Sequence, residues 1–438
     1  MTKALEARGL SYHHAVRPDP AFTNVTFSVD RGQRVLITGD SGTGKSTLLH
    51  LIAGLLHDEE DGTHTGEITV NGSIGMVLQD PDSQVISTRV GDDVAFGCEN
   101  LGVPREEIWP RVTHALDMVG LRVPLDHSTA RLSGGQKQRH ALAGVLAMGA
   151  DIIILDEPTA NLDPAGTLDV VDSIRRVCES TGATLIVVEH NPKPWLPIVD
   201  KLLHLEHDGI AEITTDELPT IPQLPPRKDI APGTSIEVGA RELRPYWGPA
   251  RTFELPQGHS TVLTGPNGSG KTTIAAALAG LTPPHAGELY YSDELRQGLR
   301  NEPHKWKSQD LARRVGYVFQ DPEHQFLMRT VAEELAVSGA SQARQDELAE
   351  RLRLTHLLQA NPFTLSGGEK RRLSVVTALV NAPRFVVLDE PTFGQDTQTF
   401  TELVHLIREL TDQGVTVMSI THDEHFVASL GDHQVVLR

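Results

Sequence analysis

Two glycine-rich runs carry the most chemistry in this chain. Gly-Asp-Ser-Gly-Thr-Gly-Lys-Ser occupies 39–46, and Gly-Pro-Asn-Gly-Ser-Gly-Lys-Thr occupies 265–272. Glycine at this density lets backbone N–H groups wrap phosphate oxygens. Lys45 and Lys271 would reach the β- and γ-phosphates, and the hydroxyls of Ser46 and Thr272 would reach Mg²⁺. The phosphate-binding candidates are Gly39, Ser41, Gly42, Gly44, Lys45, Ser46 and Thr47 in the first run. In the second they are Gly265, Asn267, Gly268, Gly270, Lys271, Thr272 and Thr273. Two apolar runs, 152–155 and 385–388, each end on a pair of acids: Asp156-Glu157 and Asp389-Glu390. An aspartate at the carboxyl edge of a strand can hold Mg²⁺, directly or through water. The glutamate after it alternates to a different direction.

The surrounding pattern predicts the elements that position these groups. Residues 34–38 and 260–264 read as strands entering the glycine loops, and 46–56 and 272–281 as helices leaving them. The continuously apolar runs before each Asp-Glu pair suit strands buried on both faces of a parallel sheet. Equivalent parts recur about 230 residues apart, which marks a duplicated domain, since solenoid periods are far shorter. The prediction is an α/β chain of two tandem domains, 1–212 and 235–438. Pro219, Pro222, Pro225, Pro226 and Pro232 make 213–234 a proline-rich, semi-rigid spacer. In both halves the segment after Gln79 or Gln320 turns helical and more charged, as a small helical subdomain would. That subdomain is larger in the first half. The second half carries a polar surplus near 292–310, expected as a surface excursion.

Composition narrows the class. A chain of 438 residues can hold two or three domains with real cores. Its net charge of −19, with no basic run longer than Lys370-Arg371-Arg372, makes it a poor polyanion binder, so no nucleic-acid partner is expected. Two distant cysteines, Cys98 and Cys178, suit a reducing compartment. No apolar run is long enough to span a bilayer, and the N-terminus has no signal core. The expected location is cytoplasmic.

Three further motifs complete each half: Leu-Ser-Gly-Gly-Gln (132–136) or Leu-Ser-Gly-Gly-Glu (365–369), Asp163 or Asp396, and His190 or His422. In this order the parts resemble the ATP-binding-cassette (ABC) ATPases across nearly the whole chain. The resemblance implies two nucleotide-binding domains with ATP and Mg²⁺ as ligands. Each would be a RecA-like parallel-sheet core with a helical signature subdomain. By resemblance Glu157 and Glu390 polarise the attacking water, and His190 and His422 sense the γ-phosphate. Gln79 and Gln320 serve the metal and the water. Asp163 and Asp396 belong to the nucleotide site. Ser133, Gly134, Gly135 and Gln136 close over the nucleotide on Lys271, and Ser366, Gly367, Gly368 and Glu369 over that on Lys45. Tyr12 would stack on adenine in the first half, with Tyr246 or Trp247 in the second. Glu369 and the Phe393-Gly394-Gln395 loop depart from the commoner pattern, which leaves room for unequal sites.

The runs Val-Leu-Gln-Asp-Pro-Asp-Ser-Gln (77–84) and Val-Phe-Gln-Asp-Pro-Glu-His-Gln (318–325) look like the ATPase subunits of energy-coupling factor (ECF) importers of vitamins and transition metals. Residues 388–396 are similar to fused ATPases associated with thiamine-precursor uptake. The implied partners are a transmembrane T subunit and a substrate-binding S subunit, with the chain peripheral on the inner face of the cell membrane. Val85, Ile86, Phe326 and Leu327, just past the glutamine loops, are candidates for the docking groove, with Ile86 and Phe326 as its anchors. Two other readings stay open: the fused ATPase of a sugar importer, and a soluble translation-factor-like ABC protein. The short, non-basic linker argues against the second.

Overall fold

Residues 2–15, 19–56, 61–160, 162–244, 248–381, 383–392 and 395–437 are described in the computed structural model of the chain. The chain divides into two compact units, 1–219 and 220–438.

In the first unit the apolar runs become the central strands. The elements are β1 (Lys3–His14), β2 (Phe22–Asp30), β3 (Arg34–Thr38), α1 (Lys45–Ile52), β4 (Gly62–Val70), β5 (Ile74–Val77), α2 (Val90–Asn100), α3 (Arg105–Met118), α4 (Gly134–Ala147), β6 (Ile152–Asp156), α5 (Pro164–Thr181), β7 (Thr184–Val188), β8 (Lys201–Glu206) and β9 (Gly209–Glu212). The main sheet runs β5-β6-β7-β3-β8-β9, and only the β8–β9 pair is antiparallel. All five residues of β6 and all five of β7 are buried, as two-sided packing demands. Ile153 faces the cluster that includes Leu142 and Leu185, while Ile152 and Ile154 face the one that includes Leu48 and Leu49. Truncating any of these isoleucines to alanine would cost about 2–5 kcal/mol.

The second unit repeats the plan with β10 (Ile236–Arg244), β11 (Arg251–Pro256), β12 (Ser260–Thr264), α6 (Lys271–Leu278), β13 (Ala286–Tyr291), α7 (Asp293–Arg296), α8 (Ser308–Ala312), β14 (Val315–Val318), α9 (Val331–Ala336), α10 (Gln342–Arg351), α11 (Gly367–Leu379), β15 (Phe385–Asp389), α12 (Thr397–Asp412), β16 (Thr416–Ile420), α13 (Glu424–Leu430) and β17 (His433–Val436). Its parallel sheet runs β14-β15-β16-β12-β17. The α/β fold with parallel-sheet cores is thus borne out, and the first unit has the longer subdomain helices (α2 and α3 against α9 and α10).

Three features differ from the sequence reading. Each unit adds a three-stranded antiparallel sheet, β2-β1-β4 and β11-β10-β13. The excursion at 292–310 is anchored: Leu295 is fully buried, and Trp306 packs at 5.8 Å from Tyr291. The proline-rich stretch is seated along the second unit from residue 220. Ile221 and Leu224 pack on its core. Ser429 donates to Pro225 O at 2.5 Å, and Lys228 N donates to Asp432 at 2.7 Å. Asp432 is itself held by Arg408 through two bonds of 2.9 and 3.0 Å. Proline keeps this segment extended, and its freed carbonyls and side chains find partners on the surface it crosses.

Candidate nucleotide sites

In each unit the glycine loop joins β3 to α1 or β12 to α6 at the carboxyl edge of the sheet, where open α/β sheets bind ligands. The first glycine is demanded by space. A Cβ on Gly39 would lie 2.4 Å from Leu205 O, and one on Gly265 would lie 2.5 Å from Leu437 O. Lys45 Nζ donates to Gly39 O and Asp40 O, both at 2.8 Å, and Lys271 Nζ donates to Gly265 O at 2.7 Å and Pro266 O at 3.0 Å. Both ammonium groups are therefore held at the mouth of their own loops. Ser41 is half-buried in its loop, and Asn267 is exposed on its own.

The acids gather at the ends of neighbouring strands, since Asp156 pairs with Val188 and Asp389 with Ile420 in the ladders. Glu157 and Glu390 then leave the strand with φ of 47° and 50°, in the left-handed region that costs a non-glycine residue roughly 1–3 kcal/mol. Simple strand alternation does not describe this step. The strained turn keeps the Glu157 carboxylate beside Asp156 and brings it to Gln79 Nε2 at 2.8 Å and His190 Nε2 at 2.9 Å. In the second unit His422 Nε2 lies 3.9 Å from Glu390 Oε1, and Gln320 is exposed.

Electrostatics separates the two sites. Burial opposes charge on Glu157, but His190 and then Lys45 outweigh it and hold the carboxyl below its ordinary value. Glu390 is pushed up to about 7 by burial and then by Asp389. Asp156 is likewise pushed up to about 7 by burial and by Glu157, although Ser46 Oγ donates to it at 3.0 Å. Asp389 is raised by burial, with Thr272 bonding it, and its Oδ2 is buried with no hydrogen-bond partner among the described residues. Buried, uncompensated carboxylate oxygens beside a hydroxyl suit a hard divalent cation, so the residues present fit Mg²⁺.

The signature motifs begin α4 and α11 with capping boxes. Gln136 Oε1 accepts from Ser133 N at 2.9 Å, and Glu369 Oε2 accepts from Ser366 N at 2.7 Å. Glutamine and glutamate do the same work here, so Glu369 is no sign of asymmetry, and both side chains turn back onto their own helix. Ser133, Gly134 and Gly367 are exposed, Gly135 and Ser366 half-buried and Gly368 buried. Asp163 and Asp396 also serve as caps. They accept from Gly166 N at 2.7 Å and Thr399 N at 2.8 Å, at the starts of α5 and α12. Each carboxylate is thus engaged at the start of its own helix.

Tyr12 is corrected outright. Its ring is 1% exposed and belongs to the core under the antiparallel sheet, so it offers no face to adenine. Two residues on, at the last position of β1, His14 Nε2 lies 3.2 Å from Thr47 Oγ1, beside the start of α1. His14, which the sequence reading did not single out, is thus a ring placed beside the glycine-loop helix, and its position at the strand end was the available signal. Tyr246 and Trp247 lie outside the described residues, as do Phe393 and Gly394. Thr273 lines a cavity of about 390 Å³ with Leu243, Arg244, Pro284 and His285, in the second unit.

Glu189, which the motif reading passed over, is buried beside the first site. It accepts Thr159 N at 2.9 Å and Thr159 Oγ1 at 2.5 Å, and burial pushes its carboxyl up to about 8. Thr421 stands there in the second unit. The folded chain keeps a proton on Glu189 that the unfolded chain, titrating near 4.5, gives up. The Glu189 contribution to stability therefore falls as pH rises from about 4.5 to about 8 and is level above that, by on the order of a few kcal/mol in all. Glu189→Gln removes this dependence. The melting temperature of the variant relative to the parent should climb between pH 5 and 8, and a constant difference across that window would refute the assignment.

Comparison with known proteins agrees with this geometry. The ABC transporter family matches residues 22–160 and 250–393. A Bacillus subtilis (strain 168) protein named for HMP/thiamine import ATP binding, YkoD, is 32% identical over 99% of this chain and 89% of its own length. An ABC transporter ATP-binding protein of Saccharolobus solfataricus, SSO2030, is 30% identical over 99% of this chain and 92% of its own. Among solved structures, an archaeal ribosome recycling factor, aABCE1, superposes with a TM-score of 0.65 at 21% identity, over 98% of this chain and 87% of that one, which is a likeness of fold. With two glycine loops, two Asp-Glu strand ends and two signature helices in family order, the chain belongs to the ABC transporter family as an ATP-binding ATPase with a duplicated cassette.

Proposed function

We propose that this chain is the energy-coupling ATPase of a membrane importer of the ECF type, for a vitamin, a vitamin precursor or a transition-metal ion, and that it works peripherally on the inner face of the cell membrane. No helix among the described residues is long and apolar enough to cross a membrane, and this reading assigns the transport path to partner proteins. In this reading each ATP is enclosed by the glycine loop of one half and the signature of the other. Lys45 and Lys271 exchange their bonds to loop carbonyls for bonds to phosphate oxygens. Ser46 and Asp156, with Gln79, would hold Mg²⁺ in the first site, and Thr272 and Asp389, with Gln320, in the second. When bound, the ion would supply positive charge against the β- and γ-phosphates. Glu157 and Glu390 orient and deprotonate the attacking water.

The observation that carries the transport reading is a groove of about 300 Å³ in the first unit. It lies between the turn at Pro81–Gln84, helix α2 and the signature helix α4, and is lined by Val85, Phe96, Leu101 and Met148 among others. Ile86 stands at its edge, 64% exposed, with its N–H held by Asp93 at 2.8 Å. A groove of mixed lining, mainly apolar but with Gln84, Asp93, Asn100 and His140, bounded by the glutamine loop and the signature helix, suits an amphipathic helix of a membrane partner, which would feel both motifs move. In the second unit the anchor differs from the sequence reading. Phe326 is 5% exposed and packs edge-on to Phe363, while Leu327 is 73% exposed. Ile86→Asp with Leu327→Asp should leave folding and ATP binding intact and abolish both recovery with the membrane T subunit and cargo uptake by cells. Normal uptake by the double variant would refute the groove.

A further inference from the structure

The two signature helices are tied to their catalytic loops by different residues. Counting from the signature serine, Arg371 on α11 stands where Gln138 stands on α4. The Arg371 side chain is buried, and its guanidinium donates to carbonyls on two separate loops. Nη1 donates to Phe319 O at 2.5 Å and to Asp389 O at 3.3 Å, and Nη2 donates to Gln320 O. Phe319 and Gln320 follow β14 into the glutamine loop, and Asp389 ends β15. Burial pushes the guanidinium down to about 10, against Asp389 and Glu390 nearby, so it stays charged at neutral pH. A buried cation is costly unless several acceptors surround it, and strand-end carbonyls without ladder partners are such acceptors.

Asp389 O belongs to the peptide that enters the strained Glu390. The N–H of that peptide donates to Ile420 O at 2.9 Å, so Arg371 and β16 pin it from both sides. In the first unit the corresponding N–H donates to Val188 O at 3.0 Å. Gln138 is buried there, its Oε1 has no hydrogen-bond partner among the described residues, and no bond from it to Leu78, Gln79 or Asp156 is found among them. The first unit instead holds the Glu157 carboxylate itself, through Gln79 and His190. Both halves hold the glutamate's N–H on the neighbouring strand; the first adds close bonds to its carboxylate, and the second adds a bond to the carbonyl of the same peptide.

We propose that Arg371 is a positioning residue of the second catalytic half, transmitting the position of the signature helix directly to the glutamine loop and to the peptide that aims Glu390. Movement of α11 shifts Gln320 and Glu390 together, because one rigid, forked side chain grips both loops. Misplacement of a catalytic group by about 1 Å can cost up to about a hundredfold in rate. The inference rests on the reading of Glu390 as the base, which the Glu390→Gln variant tests separately: if that variant keeps full turnover, the base assignment fails whatever Arg371 does.

The test is vanadate trapping of photoreactive 8-azido-ATP on the full chain with its membrane partners, followed by photolysis. Cleavage at a protease site placed between residues 219 and 220 then assigns the label to a unit. Arg371→Gln should lower trapped label on the second unit about tenfold and leave the first within about twofold. Arg371→Lys, which keeps a charge and several donors, should restore at least half of the lost label. Three results would overturn the proposal: equal loss on both units, unchanged label on the second, or an Arg371→Lys variant as deficient as Arg371→Gln with a matching fall in melting temperature.

Discussion

Replacing Glu157 and Glu390 together by glutamine should abolish ATP turnover while leaving ATP binding intact. Each single change should slow turnover without stopping it. A positioned general base is worth roughly 10²–10⁴ in rate. Glu157 is buried and Glu390 half-buried, and both follow a magnesium-type aspartate and stand in a strained backbone conformation that only a fixed role would retain. The single variants should also differ in pH dependence. With Glu157→Gln the remaining base is Glu390, held near 7, so kcat/KM should rise with pH through about 7 as that carboxyl ionises. With Glu390→Gln the remaining base is Glu157, held low chiefly by His190 against its burial, so the ionisation of the base should add no rise of kcat/KM near pH 7. Near-normal hydrolysis by the double variant would remove both residues from the chemistry.

The second large effect concerns which signature serves which nucleotide. If each ATP is shared between halves, Ser366→Arg should eliminate vanadate-trapped nucleotide at Lys45, and Ser133→Arg should eliminate it at Lys271. An arginine in place of a small capping serine also removes a helix cap worth about 1 kcal/mol, which is too little to unfold a cassette. Loss confined to the half that carries the mutation would contradict the shared sites. Each signature serine and its neighbouring glycine lie at a helix N-terminus, the favourable end for a phosphate, which supports the reading.

Much of this was legible because the motifs are local. A glycine loop after an apolar run, an Asp-Glu pair at a strand end and a Ser-x-x-Gln/Glu helix start each carry their own geometry within a few residues. The errors came where burial depends on distant chain. Tyr12 and His14 share one face of β1, and only packing against distant chain decides that the tyrosine is inside and the histidine beside the loop. Phe326 and Leu327 are one step apart on the same turn. The inward residue follows Gln325 directly, as Val85 follows Gln84, so comparing like positions in the repeat would have paired Ile86 with Leu327. Glu369 looked like a departure until the capping box showed that an amide and a carboxylate do the same work there. Arg371 was visible only as part of a basic run, because its three carbonyl partners come from loops about 18 and 50 residues away, on other strands.

The central claim is that these two cassettes drive a membrane partner. The direct measurement is affinity isolation of the tagged chain, after crosslinking, from both the detergent-solubilised membranes and the ribosomal fraction of its own cells. The account predicts stoichiometric recovery with a polytopic membrane protein, lost on Ile86→Asp with Leu327→Asp, and no ribosomal subunits. Recovery with ribosomal subunits and with no membrane protein would contradict it.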